Sequence, residues 1–242
     1  MKKIRLGIDA RIFSQAMNGV ARYAMALVKG LSECGQFEIY LFSDSPLREE
    51  YREYFSGHHL VLFNSRRFKK YWKNWALPFQ LLKHGIGLYH AVWDKGVPLL
   101  SPCPAIMSIH DLYSISDINK TSNLKKKSRR FIGLFLEGLA AKKIMTVSES
   151  TKKEIMKKLH VRPEKITVTY LDCNKRHIEK MLAKGPAIEL PAGLRPKEYI
   201  VSIAGRLDDV RKNIPFLIRS FSRSIKDSGN KNECRKLVIV GS

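Results

Sequence analysis

Residues 199–213, YIVSIAGRLDDVRKN, decide how the fold is read. The opening YIVSI is a run of β-branched and apolar residues, the pattern of a strand buried in a parallel sheet. Ala204 and Gly205 add little bulk, so the backbone can turn tightly behind it. Arg206 and Lys212 then fall on a short polar loop. A helix follows, with Ile214, Leu217, Ile218, Phe221 and Ile225 on one face. Two cations near the carboxyl end of a strand, beside the free N–H groups of a helix start, form a phosphate-binding arrangement in α/β proteins. A surface loop with solvated cations is the plainer alternative for the same residues.

The chain has 242 residues, enough for one large domain or one and a part, with a sizeable core. Its hydrophobic fraction of 44% and charged fraction of 27% are those of a folded protein and exclude a disordered one. The formal net charge of +22 implies an anionic partner: nucleic acid, an acidic membrane face or a phosphorylated substrate. Cys34, Cys103, Cys173 and Cys234 are widely spaced, with no C-x-x-C pair, so reduced thiols are expected and a metal site is not. The N-terminal MKKIRLGIDARIF has no sustained apolar run and does not read as a signal peptide. The most apolar stretch, residues 131–141, is too short to span a bilayer and is interrupted by Glu137. A cytoplasmic protein is expected, with a peripheral place on the inner face of the membrane.

Taken in order, residues 4–9 (IRLGID) form the first strand, and Gly19 opens a helix with Val20, Tyr23, Ala24, Leu27 and Leu31 on one side. Gly19 there permits a ligand to approach backbone N–H groups, or is simply a turn residue. Strands are expected at 37–42 and 60–63, with a short charged helix at 46–55 between them. Residues 66–75, RRFKKYWKNW, interleave cations with aromatics. They suit an anionic bilayer surface, a helix with inward-packed aromatics or, more remotely, single-stranded nucleic acid. Further strands are expected at 88–90 and 105–109, the latter ending in His110-Asp111. A His just beyond a buried parallel strand points into the crevice where such folds bind ligands. A neutral imidazole there can donate to a sugar hydroxyl or a phosphate oxygen, and the alternative is a His satisfied by neighbouring backbone. Asp111 either orients His110 or caps the next segment of chain. Residues 114–123 read as a mobile polar loop suited to acceptor contacts. Residues 125–136 place a basic cluster against an apolar helix face, a second candidate for membrane contact. A strand at 144–147 leads to Ser148, at the start of the next helix, and 166–168 is the last strand of this sheet. Residues 184–196, with three prolines and two glycines, mark a linker.

Four of these segments together resemble the retaining glycosyltransferases of family 4 (the group 1 glycosyltransferases): G-R-L…R-K-N at 205–213, I-D-A-R…N-G-V-A-R-Y from residue 8, I-H-D-L at 109–112 and V-S-E-S-T-K at 147–152. The resemblance covers nearly all of this chain and about the first two-thirds of the family's length. It implies a GT-B-like α/β architecture: a Rossmann-like parallel-sheet domain at residues 1–183 on the acceptor side, a linker at 184–196, and a truncated second Rossmann-like domain at 197–242 that takes the nucleotide-sugar. It implies that Arg206 and Lys212 contact the donor diphosphate, with Gly205 and the Gly19 loop against the phosphates and His110 against donor sugar and phosphate. Asn18, Asp111 and Ser148 would border the cleft on the acceptor side. The family's usual pair of glycines is Asn18-Gly19 here, and its Asn-Gly after the last strand is replaced by Leu171-Asp172-Cys173-Asn174. Its later segment with two glutamates has no counterpart.

The expected activity is hexosyl transfer, with retention, from a nucleotide-sugar to a glycan or lipid-linked acceptor in surface polysaccharide or glycolipid synthesis. Cations would stabilise the departing diphosphate, with no metal and no cofactor beyond the nucleotide-sugar substrate. The competing expectation is an inactive fragment that binds an acceptor or an anionic membrane surface through 66–75 and 125–136. A specific nucleic-acid binder is disfavoured, since no helix-turn-helix, zinc-finger or RNP-like pattern is present.

Overall fold

The computed structural model describes residues 3–63, 71–115, 124–171, 179, 183, 193–195, 198–205, 212–227 and 236–241. The chain divides into two compact units, Met1–Asp172 and Cys173–Ser242.

In the first unit, seven strands are described: β1 (Ile4–Asp9), β2 (Phe37–Ser43), β3 (His59–Leu62), β4 (Leu88–Ala91), β5 (Ala105–Ile109), β6 (Lys143–Thr146) and β7 (Ile166–Val168). They form one sheet in the order β3-β2-β1-β4-β5-β6-β7. Every neighbouring pair is parallel. The α/β class and Rossmann-like parallel sheet expected from the sequence are therefore what the chain forms. The helices are α1 (Gly19–Glu33), α2 (Glu49–Arg52), α3 (Leu77–Lys83), α4 (Leu124–Ala140) and α5 (Glu149–Leu159). The helix expected at 46–55 is confined to α2, and a π-helical turn, Trp72–Ala76, leads into α3.

Period-2 alternation in the central strands splits the core into two clusters. Leu6, Ile8, Ile39 and Leu41 meet Ala21, Ala24 and Val28 of α1 and Tyr51 of α2. Tyr40, Phe42, Tyr89, Met107 and Ile109 meet Leu77 and Leu81 of α3, Leu134 of α4, and Ile155 and Leu159 of α5. Helices on both faces explain why the strands read as nearly continuous apolar runs. Gly7 allows β1 to sit between β2 and β4, since a Cβ there would lie 2.9 Å from Phe42 and 3.2 Å from Tyr89. The β4–β5 connection, residues 92–104, contains no helix, so it is free to line the sheet's carboxyl edge.

In the second unit, β8 (Tyr199–Gly205) and β9 (Lys236–Gly241) pair in parallel on either side, in sequence, of α6 (Ile214–Asp227). This is the βαβ unit that the opening stretch implies. Among the described residues no helix is long and apolar enough to cross a membrane.

Candidate functional site

The chain runs β1, β2, β3 towards one edge of the seven-stranded sheet and β4 to β7 towards the other. Direction reverses between β1 and β4, and ligands of open α/β sheets bind beyond the carboxyl ends of the strands at that point. The residues there are held by interlocking polar networks.

Asp9, the last residue of β1, is 1% exposed. Its Oδ1 accepts from Arg11 Nε at 2.9 Å and from the Arg11 backbone N–H at 3.1 Å, while Oδ2 accepts from Arg11 Nη2 at 2.6 Å. Trp93 Nε1 donates to Oδ2 at 2.8 Å and so ties the loop after β4 to β1. Burial alone would weaken the Arg11 charge. The charge and hydrogen bonds of Asp9 outweigh it, and the guanidinium holds its proton more firmly than a free arginine. Two cations lie over the Trp93 ring, Arg11 Cζ at 5.6 Å and Lys95 Nζ at 4.1 Å from its centroid. Gly96, at φ +122°, closes against this group, where a Cβ would collide with Asp9 Oδ2 and lie 2.7 Å from Arg11 Nη2. Only glycine fits both the backbone and the space.

The same loop is clamped from α4. Glu137, 2% exposed, accepts the N–H groups of Gly96 at 2.7 Å and Val97 at 3.2 Å on Oε2, and pairs with Lys73 Nζ at 2.5 Å through Oε1. Arg130 Nη2 binds the Asp94 carboxylate at 2.6 Å and its carbonyl at 2.8 Å, and Ser114 Oγ donates to the same carboxylate at 3.3 Å.

His110 follows β5 and is half-buried. Its Nε2 lies 3.0 Å from the Val92 carbonyl, which can only accept, so Nε2 carries a proton. The expected donation from a neutral imidazole to a ligand is thereby redirected: the neutral ring spends its donor on Val92 and its other nitrogen can only accept. His110 donates to a phosphate oxygen only as imidazolium. Its ring meets Tyr23 of α1 edge-on at 4.6 Å. Tyr23 Oη and His90 Nε2 both meet Ser108 Oγ, at 3.0 and 2.8 Å. Burial, aided by the charge of His110, holds His90 down at about 4.

The remaining expected residues have these places. Asn18 is the N-cap of α1, its Oδ1 accepting from Ala21 N–H at 3.0 Å. Gly19 begins α1, and a Cβ there would meet nothing within 4 Å. Asp111 Oδ1 accepts from Tyr113 N–H at 3.0 Å, a turn-forming contact. Ser148 caps α5 by accepting from Thr151 N–H at 3.1 Å. Asn18, Gly19, His110, Asp111 and Ser148 thus line the carboxyl-end loops of one sheet. Gly205 ends β8, and Lys212 is exposed just before Asn213 (φ +46°) and α6. Arg206 lies outside the described residues, as do 66–70 and 116–123 from the segments expected to contact membrane or acceptor. Among the described residues no group of His, Cys, Asp and Glu is placed to hold a metal ion.

The family model for Glycosyltransferase Family 4 matches residues 17–171, more than half of the chain. The chain belongs to glycosyltransferase family 4. Among curated proteins no match is found. Among solved structures, the Anabaena protein Alr3699/HepE in complex with UDP is similar at a TM-score of 0.53 and 13% identity, over 99% of this chain and 69% of that one. A glycosyltransferase from Rickettsia africae gives 0.51 and 14%, over 100% and 68%. The S. aureus MnaA–UDP structure gives 0.50 and 14%, over 100% and 62%. At these identities the likeness is one of fold, the GT-B architecture, and the chain spans about two-thirds of each neighbour's length.

Within this family member, the structure adds residues to which the sequence pattern assigned no role: Asp9, Arg11, Trp93, Gly96 and Glu137. Two local signals were present. Asp9 and Arg11 stand in the I-D-A-R segment at a strand end, and Glu137 is a lone acid in an apolar run.

Proposed function

We propose that the chain transfers a hexosyl group, with retention, from a nucleotide-sugar to a glycan or lipid-linked acceptor, in the making of surface polysaccharide or glycolipid. Family membership over residues 17–171 carries this reading. The crevice beyond β1, β4 and β5 would receive the acceptor, with His110 at its wall. In the second unit Arg206, Lys212 and the N–H group at Gly205 would take the diphosphate, whose departure the cations would favour without a metal. A uridine nucleotide is the first choice of donor, because HepE and MnaA are both seen with UDP. The test is calorimetric titration with UDP, GDP and ADP, then assay of sugar transfer from the nucleotide-sugars of the preferred base. Base-selective binding that Arg206→Ala and Lys212→Ala weaken together is expected. Equal, weak binding of all three, unchanged in the variants, would overturn it.

A specific observation favours a second role beside this one, attachment to an anionic bilayer. Trp75, in the π-helical turn, and Phe79 and Leu82 of α3 are 75%, 63% and 65% exposed, with Leu100 at 85%. Asn74 Oδ1 accepts from the Leu99 N–H at 3.2 Å, which ties the 99–100 loop to the turn that carries Trp75. Large apolar side chains in water beside a strongly basic surface suit a lipid headgroup boundary. In this role the chain would bind an acceptor at the membrane even without turnover. Sedimentation with phosphatidylglycerol vesicles should lose most of the protein from the pellet on Trp75→Glu with Phe79→Glu; unaltered pelleting would rule the face out.

A further inference from the structure

The loops at the reversal point carry charges that do not cancel. Arg11 is matched by Asp9 in a two-pronged pair at 2.9 and 2.6 Å, and Arg130 by Asp94 at 2.6 Å. Lys95 has no carboxylate within ion-pairing distance among the described residues, and its ammonium rests on the Trp93 ring at 4.1 Å. It is half-withdrawn from water, and that burial, with Arg130 and Arg11 nearby, weakens its hold on its proton despite Asp94 and Asp9. A cation in that state gains more from an incoming anion than a solvated surface lysine does.

The loop under Lys95 is also fixed on both sides. Asp94 is held by Arg130 and Ser114 before it, and the Gly96 and Val97 N–H groups are held by buried Glu137 after it. Ordering this backbone is complete before any ligand arrives, which lowers the cost of binding. The place is the carboxyl end of β4, next to β1 and within reach of the β5 loop through the His110–Val92 hydrogen bond.

We propose that Lys95 binds a phosphate group of the acceptor at the mouth of this crevice, so that the acceptor is a phosphorylated molecule. The word acceptor rests on the sugar-transfer reading; the anion site does not. A phosphate ester, with a charge of about −1.5 to −2 at neutral pH, suits a surplus ammonium flanked by two guanidinium groups better than a carboxylate does. The phosphate belongs either to a lipid headgroup or to a soluble sugar phosphate, and the test separates them.

The full chain is reductively methylated with a carbon-13 label, so that each lysine gives a resonance, with Lys95 assigned by its loss in Lys95→Arg. It is titrated at constant ionic strength with inorganic phosphate, with phosphatidic acid in phosphatidylcholine vesicles, and with UDP. Lys95 is expected to respond at phosphate concentrations about tenfold below those that move exposed Lys29. Phosphate binding, followed through the Trp93 indole resonance, should weaken about tenfold in Lys95→Gln and largely return in Lys95→Arg. A stronger response to the vesicles than to free phosphate supports a lipid acceptor, and the reverse a soluble one. Movement of Lys95 in parallel with Lys29 overturns the proposal. So does a response to UDP tighter than to phosphate, which would give the site to the donor. Absence of any binding of UDP, GDP or ADP, with the Lys95 response intact, would instead sink the sugar-transfer reading alone.

Discussion

Asp9 is a carboxylate closed off from water whose four hydrogen bonds come from Arg11 and Trp93. Removing its charge strands a largely buried guanidinium. Asp9→Asn should therefore cost about 3 kcal/mol of stability, measured by urea unfolding. Arg11→Met should cost a similar amount, and the double variant much less than the sum, as groups in one network behave. His90 sits at the same end of the sheet and works through protons. Its unfolded value is near 6.5 and its folded value about 4, so between those limits the unfolded chain binds the extra proton. Its contribution is intact above about pH 6.5 and is lost as pH falls towards 4, about 3 kcal/mol in all. The difference in urea stability between the wild type and His90→Gln, followed from pH 7 to pH 4, should shrink by that order. A constant difference would show that His90 does not resist protonation. His110 was legible because a strand-end histidine is a local pattern. Asp9's partner Trp93 was not, because 84 residues separate them and no periodicity encodes which loops a sheet will bring together.

At the scale of elements, α4 shows how a breach of pattern carries information. Its apolar run from 131 contains Glu137, which reads in the sequence only as a bar to membrane insertion. In the fold it is the clamp between a helix, the turn at Lys73 and the loop at 96–97. Glu137→Ala should destabilise by about 3–5 kcal/mol, since it leaves a cation and two N–H groups unpaired. Lys73→Met should cost less, because Glu137 keeps both N–H donors. Chemical unfolding ranks the two, and the opposite order would mean the ion pair, not the loop clamp, matters more. The inner strands β2, β4 and β5 were legible almost to the residue because burial on both faces gives each a nearly continuous apolar stretch. The segment before α3 was not resolved into one pattern, and the structure shows why: Trp72 packs on Phe63 in the core, while Tyr71 and Trp75 are 49% and 75% exposed. A π-helical turn changes the angular spacing there, so helical periodicity read through it assigns faces wrongly.

For the molecule as a whole, a net charge of +22 acts at long range whatever the site does. Adsorption to anionic vesicles should fall steeply between about 0.05 and 0.5 M salt as the screening length shrinks to a few ångströms. Trp75→Glu with Phe79→Glu should remove the part that survives high salt; co-sedimentation across the salt series would show it. Adsorption that salt abolishes entirely in the wild type would mean that the apolar face adds nothing. The strand order bears on synthesis as well. β1 leaves the ribosome before the other strands and ends inside the sheet, flanked by β2 on one side and β4 on the other. β2 ends at Ser43 but β4 begins only at Leu88. At roughly 5–20 residues per second, the nascent chain holds β1 with one edge bare for several seconds. During that interval Asp9 and Arg11 can already find each other, being two residues apart, while Trp93 and Lys95 are still to be made. The centre of the crevice is therefore laid down before its wall, which arrives only when the second half of the sheet does.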